Sequence, residues 1–279
     1  MTAERVNCSE CDNQVLPETA ARNAGLCGVC ERKRRKLKAD LEREADIKVV
    51  RYVEEFHKLR KMTRDLVRSA FEDLERLCGD EQIYGICVYA YHNVGPPVFC
   101  GSTIAGFAKR EAKLRADTSL HQLLPNTPIQ SLIKSTGKWS PYEWEHEAHR
   151  WADFREVVDY VEALTPKSAV KPGNELHAMV LAAYVMSLKD LDQEGLFAPH
   201  RAKSSLVLFC SDCDSSDREW YQHASARFLN PPDLFEIFYN ESVIYDLAGE
   251  RHNRDLLGDE RERRFNEYLD LATETSKLG

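Results

Sequence analysis

Cys8 and Cys11, followed by Cys27 and Cys30, form two Cys-x-x-Cys knuckles separated by fifteen residues. This spacing predicts one tetrahedral zinc site, because two intervening residues let a tight turn aim both sulfurs at one ion. Four thiolates fill the coordination sphere and leave no open position, so the expected zinc is structural. About thirty residues are too few to bury a core, and metal binding would supply their folding free energy.

Other residues offer weaker chemistry. In Glu145-His146-Glu147-Ala148-His149, a helix would bring Glu145, His146 and His149 to one side as possible metal ligands, without the His-Glu-x-x-His spacing of zinc proteases. The plainer reading is a polar helix start. Asp212, Asp214 and Asp217 follow an apolar run, where carboxylates at a strand's end serve magnesium-assisted phosphate chemistry or simply stop the strand and cap a helix. Taken with Glu145, His146 and His149, Asp212 and Asp214 make a second candidate polar site. Cys210 and Cys213 repeat the Cys-x-x-Cys spacing without a matching pair, with His223 in the neighbourhood. Trp139, Tyr142, Trp144 and Trp151 form an aromatic group that fits either a partner-binding hot spot or a buried corner. Arg32, Lys33, Arg34, Arg35, Lys36 and Lys38 are candidate phosphate contacts, or the solvated face of a helix in which Asp40, Glu42 and Glu44 balance the charge.

The elements that must position these groups follow from periodicity. Residues 1–31 read as the cysteine module and residues 32–80 as a basic, then amphipathic, helix. Val50, Val53, Phe56, Met62, Leu66, Ala70, Phe71, Leu74 and Leu77 recur at steps of three and four. Residues 81–248 read as an α/β or α+β body, a small central sheet covered by helices. In it, Ile83 to Tyr91 and Val98 to Thr103 predict a hairpin, Ile104 to Leu114 a helix, Trp144 to Leu164 a helical region, Glu175 to Leu191 a long helix and Ser204 to Ser211 a buried strand. Ser216 to Glu219 fits a capping box, and Pro231-Pro232 ends one helix and starts another. Residues 249–279 read as a charged tail with a solvated helix from Asp259 to Ser276.

The 279 residues are 43% hydrophobic and 30% charged, which suffices for a real core. A net charge of −8 argues against wholesale wrapping of nucleic acid. The odd total of nine cysteines and the lack of an apolar leader point to a reducing cytoplasm, and the longest apolar stretch, Ala178 to Leu188, is too short for a membrane span.

From Phe71 to Asn240 the chain resembles a bacterial family of domains of unknown function, numbered 4303. The resemblance rests on Ile83-Tyr84-Gly85-Ile86-Cys87-Val88-Tyr89, Trp139-Ser140-Pro141-Tyr142-Glu143-Trp144, Leu206-Val207-Leu208-Phe209 leading to Asp212 and Asp214, and Leu229-Asn230-Pro231. It implies an immunity-like protein that occludes a protein partner. The acidic chain would complement a basic, nucleic-acid-directed toxin. A nucleic-acid-associated zinc factor using residues 32–38 and a metal-dependent hydrolase are the alternatives.

Overall fold

Ile83–Ala90 is rich in β-branched and aromatic side chains and is buried at every position, because this strand has neighbours on both edges and both faces. The computed structural model describes residues 6–8, 11, 13–23, 26–45, 52–90, 97–117, 130, 133–147, 149–164, 174–212, 218–242 and 256–276. It divides into two compact units, Met1–Val50 with Asp255–Glu260, and Arg51–Arg254 with Arg261–Gly279.

The smaller unit holds a two-stranded antiparallel ribbon, β1 (Val6–Asn7) and β2 (Gln14–Val15), then α1 (Pro17–Arg22) and α2 (Gly28–Ala45).

The body begins with α3 (Val53–Cys78), followed by β3 (Ile83–Ala90), β4 (Pro97–Thr103) and α4 (Ile104–Ala116). Later come α5 (Arg155–Leu164), α6 (Asn174–Gln193), α7 (Ala198–Ser204), β5 (Val207–Asp212), α8 (Arg218–Leu229), α9 (Pro232–Ser242) and α10 (Leu256–Ser276), which belongs to the body from Arg261 on. The sheet order is β4-β3-β5, with β4 antiparallel and β5 parallel to β3. Cys87 stands opposite Cys100 on one side and Phe209 on the other. The expected small sheet among helices is therefore present, and the chain is mostly helical. The Ser216 cap lies outside the described residues.

Helix α3 keeps its 3.6-residue period, but its buried stripe is Phe56, Leu59, Thr63, Val67, Ala70, Phe71, Leu74 and Cys78. Leu77, expected in the stripe, is 63% exposed, because Leu74 already occupies that face one turn before the helix stops at Gly79. Helix α6 is buried almost all round, which explains its apolar run. Among the described residues no helix is long and apolar enough to cross a membrane. Arg60 on α3 clasps Asp190 on α6 through two hydrogen bonds, at 2.7 and 2.5 Å.

The solvated reading of the last helix is corrected. Phe265, Tyr268, Leu269 and Ala272 are buried, with ring contacts from Tyr268 to Phe56 and from Phe265 to Tyr221. These apolar residues fall at steps of three and four, so the many charges around them hid a narrow stripe.

The outer edge of β5 is closed by side chains. Asn230 Oδ1 accepts from Leu208 N at 2.9 Å, and Asn230 Nδ2 donates to Leu208 O at 2.6 Å. One ladder step on, Ser225 Oγ accepts from Cys210 N at 2.9 Å. An edge strand normally offers these groups to water or to another strand; here the end of α8 takes them.

Candidate metal centre

Cys8 N donates to Asn13 O at 2.9 Å, which continues the β1–β2 pairing one residue past Asn7 and Gln14 and holds Cys8 beside the start of β2. Cys27 and Cys30 sit at the start of α2, where Cys27 O accepts the early helical bond from Glu31 N. Free amides at this helix start turn toward sulfur. Cys30 N donates to Cys27 Sγ at 3.5 Å, and Cys27 N donates to Cys8 Sγ at 3.1 Å.

Cys11 Sγ lies 3.7 Å from Cys27 Sγ and 3.6 Å from Cys30 Sγ, and all four sulfurs lie within 4.8 Å of one another. Sulfurs at ~2.3 Å from one tetrahedral ion would be about 3.8 Å apart. Cys8, Cys27 and Cys30 are buried, with Leu26 and Val15 packed against them. The Cys30 backbone N–H pulls the Cys27 thiol down to about 6, whereas sharing hydrogen with Cys27 and Cys11 pushes Cys30 up to about 12. Of these two, Cys27 gives up its proton readily and Cys30 holds its own. This set can hold one metal ion, with all four donors supplied by the chain.

Beyond it, Arg32, Lys33, Arg34, Arg35 and Lys36 are exposed, and Arg35 pairs with Glu31 at 2.5 Å. The side chain of Lys38 lies outside the described residues.

In the body the aromatic group is a buried corner. Trp139 is 3% and Trp144 4% exposed. Trp139 Nε1 donates to Glu241 at 3.1 Å, Trp144 Nε1 to Lys138 O at 3.0 Å, and Tyr142 Oη lies 3.1 Å from Ser211 Oγ. A Cβ on Gly85 would approach Trp144 Cη2 to 2.8 Å, so the glycine makes room for the indole. The partner-binding reading of Trp139 and Trp144 is therefore corrected: desolvated rings with satisfied N–H groups offer a partner no surface. The Trp151 side chain lies outside the described residues.

Of the helix expected through 145–149, the described residues 145–147 and 149 form none. A 3₁₀ turn (Pro141–Glu143) precedes these residues and His146 pairs with Gly101 as an isolated β-bridge, so helical spacing does not set the side chains: the His146 and His149 rings stay in contact, centroids 6.3 Å apart, while Glu145 turns to Thr103, Ser102 and Arg110. Thr103 Oγ1 caps α4 by accepting from Gly106 N at 3.0 Å, and Glu145 braces that cap: its carboxylate accepts from Thr103 N at 2.6 Å, Thr103 Oγ1 at 2.8 Å and Ser102 Oγ at 3.0 Å, and pairs with Arg110. Burial opposes its ionisation, yet these donors hold its pKa below the usual value. His149 Nε2 stands 3.1 Å from Asp73, while burial lowers its basicity. Asp212 is 1% exposed and contacts His177 Nε2 at 3.1 Å. Asp214 and Cys213 lie outside the described residues, and Cys210 is a strand thiol that burial pushes up to about 12. Glu145, His146, His149 and Asp212 do not form one site. Among the described residues, the four cysteines are the one group of three or more with ligand atoms in reach of one ion.

His146 instead meets Cys78, whose Sγ lies 3.7 Å from its Nε2. Burial, with Glu81 and Glu145 adding to it, pushes the Cys78 thiol up to about 11. Neither this contact nor the His177–Asp212 pair was foreseen; a cysteine at a helix end and a histidine in an apolar helix carry no spacing signal.

The domain of unknown function DUF4303 matches residues 64–231, more than half of the chain. The chain belongs to this family. No curated protein and no solved structure matches it. The DUF4303 match takes in the whole sheet, the Trp139–Trp144 corner and the Asn230 closure of β5, and the four cysteines precede it in sequence. The DUF4303 motifs seen in the sequence are thus largely architectural: Gly85 admits Trp144, and Asn230 seals an edge.

Proposed function

We propose that the chain is a zinc-containing binding protein, in which Cys8, Cys11, Cys27 and Cys30 hold a structural zinc and the module they close recognises a partner protein. The supporting observation is a set of exposed apolar side chains around a closed site. Val6 on β1, Leu16 before α1 and Val29 between Cys27 and Cys30 are 38%, 45% and 51% exposed. A unit this small has little apolar surface to spare, and leaving three such residues in water suits a contact surface. Four sulfur donors leave the ion no position for substrate, which favours recognition over catalysis there. The immunity or defence role by occlusion belongs to this reading, in a bacterial cytoplasm where thiols stay reduced. The charge of −8 would then steer a basic partner.

The test is capture from lysate of the source cells by the wild type and by a Leu16→Glu/Val29→Glu variant of equal zinc content. A protein retained by the first and lost by the second supports the reading; identical retention rejects it. A second reading, nucleic-acid binding, draws on the exposure of all five side chains from Arg32 to Lys36. It requires retention on DNA or RNA at low salt that falls steeply with added salt and disappears when the run is neutralised.

A further inference from the structure

A cleft of about 350 Å³ in the body is lined by Cys78, Glu81, Thr103, Lys109, Glu145 and His146, among others. Cys78 ends α3 and is 8% exposed, and its sulfur meets His146 Nε2 at 3.7 Å across 68 residues of sequence. The backbone fixes this meeting. Gly101 N donates to His146 O at 3.3 Å, so the loop carrying the imidazole is tied to β4.

Sulfur at ~2.3 Å and nitrogen at ~2.0 Å from one tetrahedral zinc would stand roughly 3.5 Å apart. The Cys78–His146 pair is close to that separation, by the same measure that fits the cysteine quartet. Glu81 lines the same cleft, and its charge is near enough to help raise the Cys78 thiol. Glu81 is exposed, and its carboxylate stands outside ligand reach of the other two atoms until it turns. Glu145, on the same cleft, is already held by Thr103, Ser102 and Arg110.

We propose that Cys78, His146 and Glu81 form a second metal site, within the DUF4303 domain, for a borderline-soft divalent cation such as zinc. Two ligands stand nearly preformed, and Glu81 closes the set by turning about its side-chain torsions. Thiolate and imidazole donors select zinc-like ions over magnesium or calcium. Binding replaces the Cys78 S–H bond with a sulfur–metal bond and releases the proton to solvent. Three protein ligands leave one position facing the cleft, the arrangement of metal sites that accept an exogenous ligand. This site is independent of the partner-recognition reading of the amino-terminal unit.

The test uses the full chain, saturated with zinc, freed of excess by gel filtration and measured by elemental analysis. The expected result is two zinc ions per wild-type chain, one per chain in Cys78→Ser and in His146→Gln, and at least tenfold weaker binding of the second ion in Glu81→Gln. One ion in the wild type, or two in both Cys78→Ser and His146→Gln, overturns the proposal. Should Cys78→Ser fail to fold, His146→Gln carries the comparison. Zinc must also slow iodoacetamide labelling of Cys78 in the wild type, and equal rates with and without zinc overturn the proposal as well.

Discussion

Replacing Asn230 with Ala removes the side chain that closes the outer edge of β5. Asn230 is 8% exposed and makes four contacts, but they are unequal in consequence. Arg201 Nη1 keeps Leu206 O, and Ala226 O keeps the backbone N–H of residue 230. Leu208 N and Leu208 O, both buried, lose the partners they have on that edge. Orphaning a buried backbone group costs about 1–3 kcal/mol, so losing both partners should destabilise the body by roughly 2–6 kcal/mol. That is a large part of the ~5–15 kcal/mol typical of a domain, and it lowers the melting temperature by roughly 10 °C. The assay is urea unfolding followed by tryptophan emission, since all four tryptophans lie between Trp139 and Trp220 and report on the body. Asn230→Asp separates the two bonds: it keeps an acceptor for Leu208 N but turns a carboxylate toward Leu208 O. It should be at least as damaging as Ala. A loss below about 1 kcal/mol in Asn230→Ala, with unchanged denaturant dependence, would mean that water serves this edge as well as the side chain does and would refute the argument.

Three further outcomes follow from the same structure. Removing by chelation a metal held by the four cysteines should lower the helical circular dichroism contributed by α1 and α2 while tryptophan emission stays constant; a coupled change in both signals would show that the units do not unfold separately. His223 is held down to about 4 by burial and by nearby Arg227, against an ordinary 6.5. The unfolded chain therefore takes up its proton first as pH falls below 6.5, and the folded state loses stability toward pH 4. His223→Gln should shrink the stability difference between pH 7.5 and 5.0 by about 2 kcal/mol, and an unchanged difference counts against the burial argument. Finally, a Cβ on Gly106 would come within 2.0 Å of Glu145 Oε1. Gly106→Ala should cost about 1–3 kcal/mol by displacing that carboxylate from its donors, yet become neutral or stabilising in a Glu145→Ala background, where only helix propensity remains. Thermal melts of the four proteins of the cycle check this, and simple additivity would sink it.

The cysteine quartet was legible because its chemistry is local. Two residues between thiols fix each turn whatever the rest of the chain does, and four sulfurs converge as the spacing demands. The hairpin and α6 were legible for a related reason, since burial on both faces demands uninterrupted apolar character. The amphipathic period of α3 was visible too, but not which residues faced inward at its end.

What lies between distant residues was not legible. Helical spacing grouped Glu145, His146 and His149, and the backbone broke that spacing by lending His146 to β4. The aromatic cluster could be read as surface or core with equal chemistry, and only packing against Gly85, Phe209 and Phe238 decided for core. Asn230 showed in the sequence only as part of the Leu229-Asn230-Pro231 motif, although its work is to satisfy a strand 22 residues earlier. The sequence by itself determined the metal-ligand quartet, the strands and the helical periods, because those depend on neighbours within a turn or a pleat. Tertiary structure alone decided that Cys78 meets His146, that Asp212 meets His177 and that Trp139 and Trp144 are hidden, because each depends on elements that the chain brings together only after long excursions.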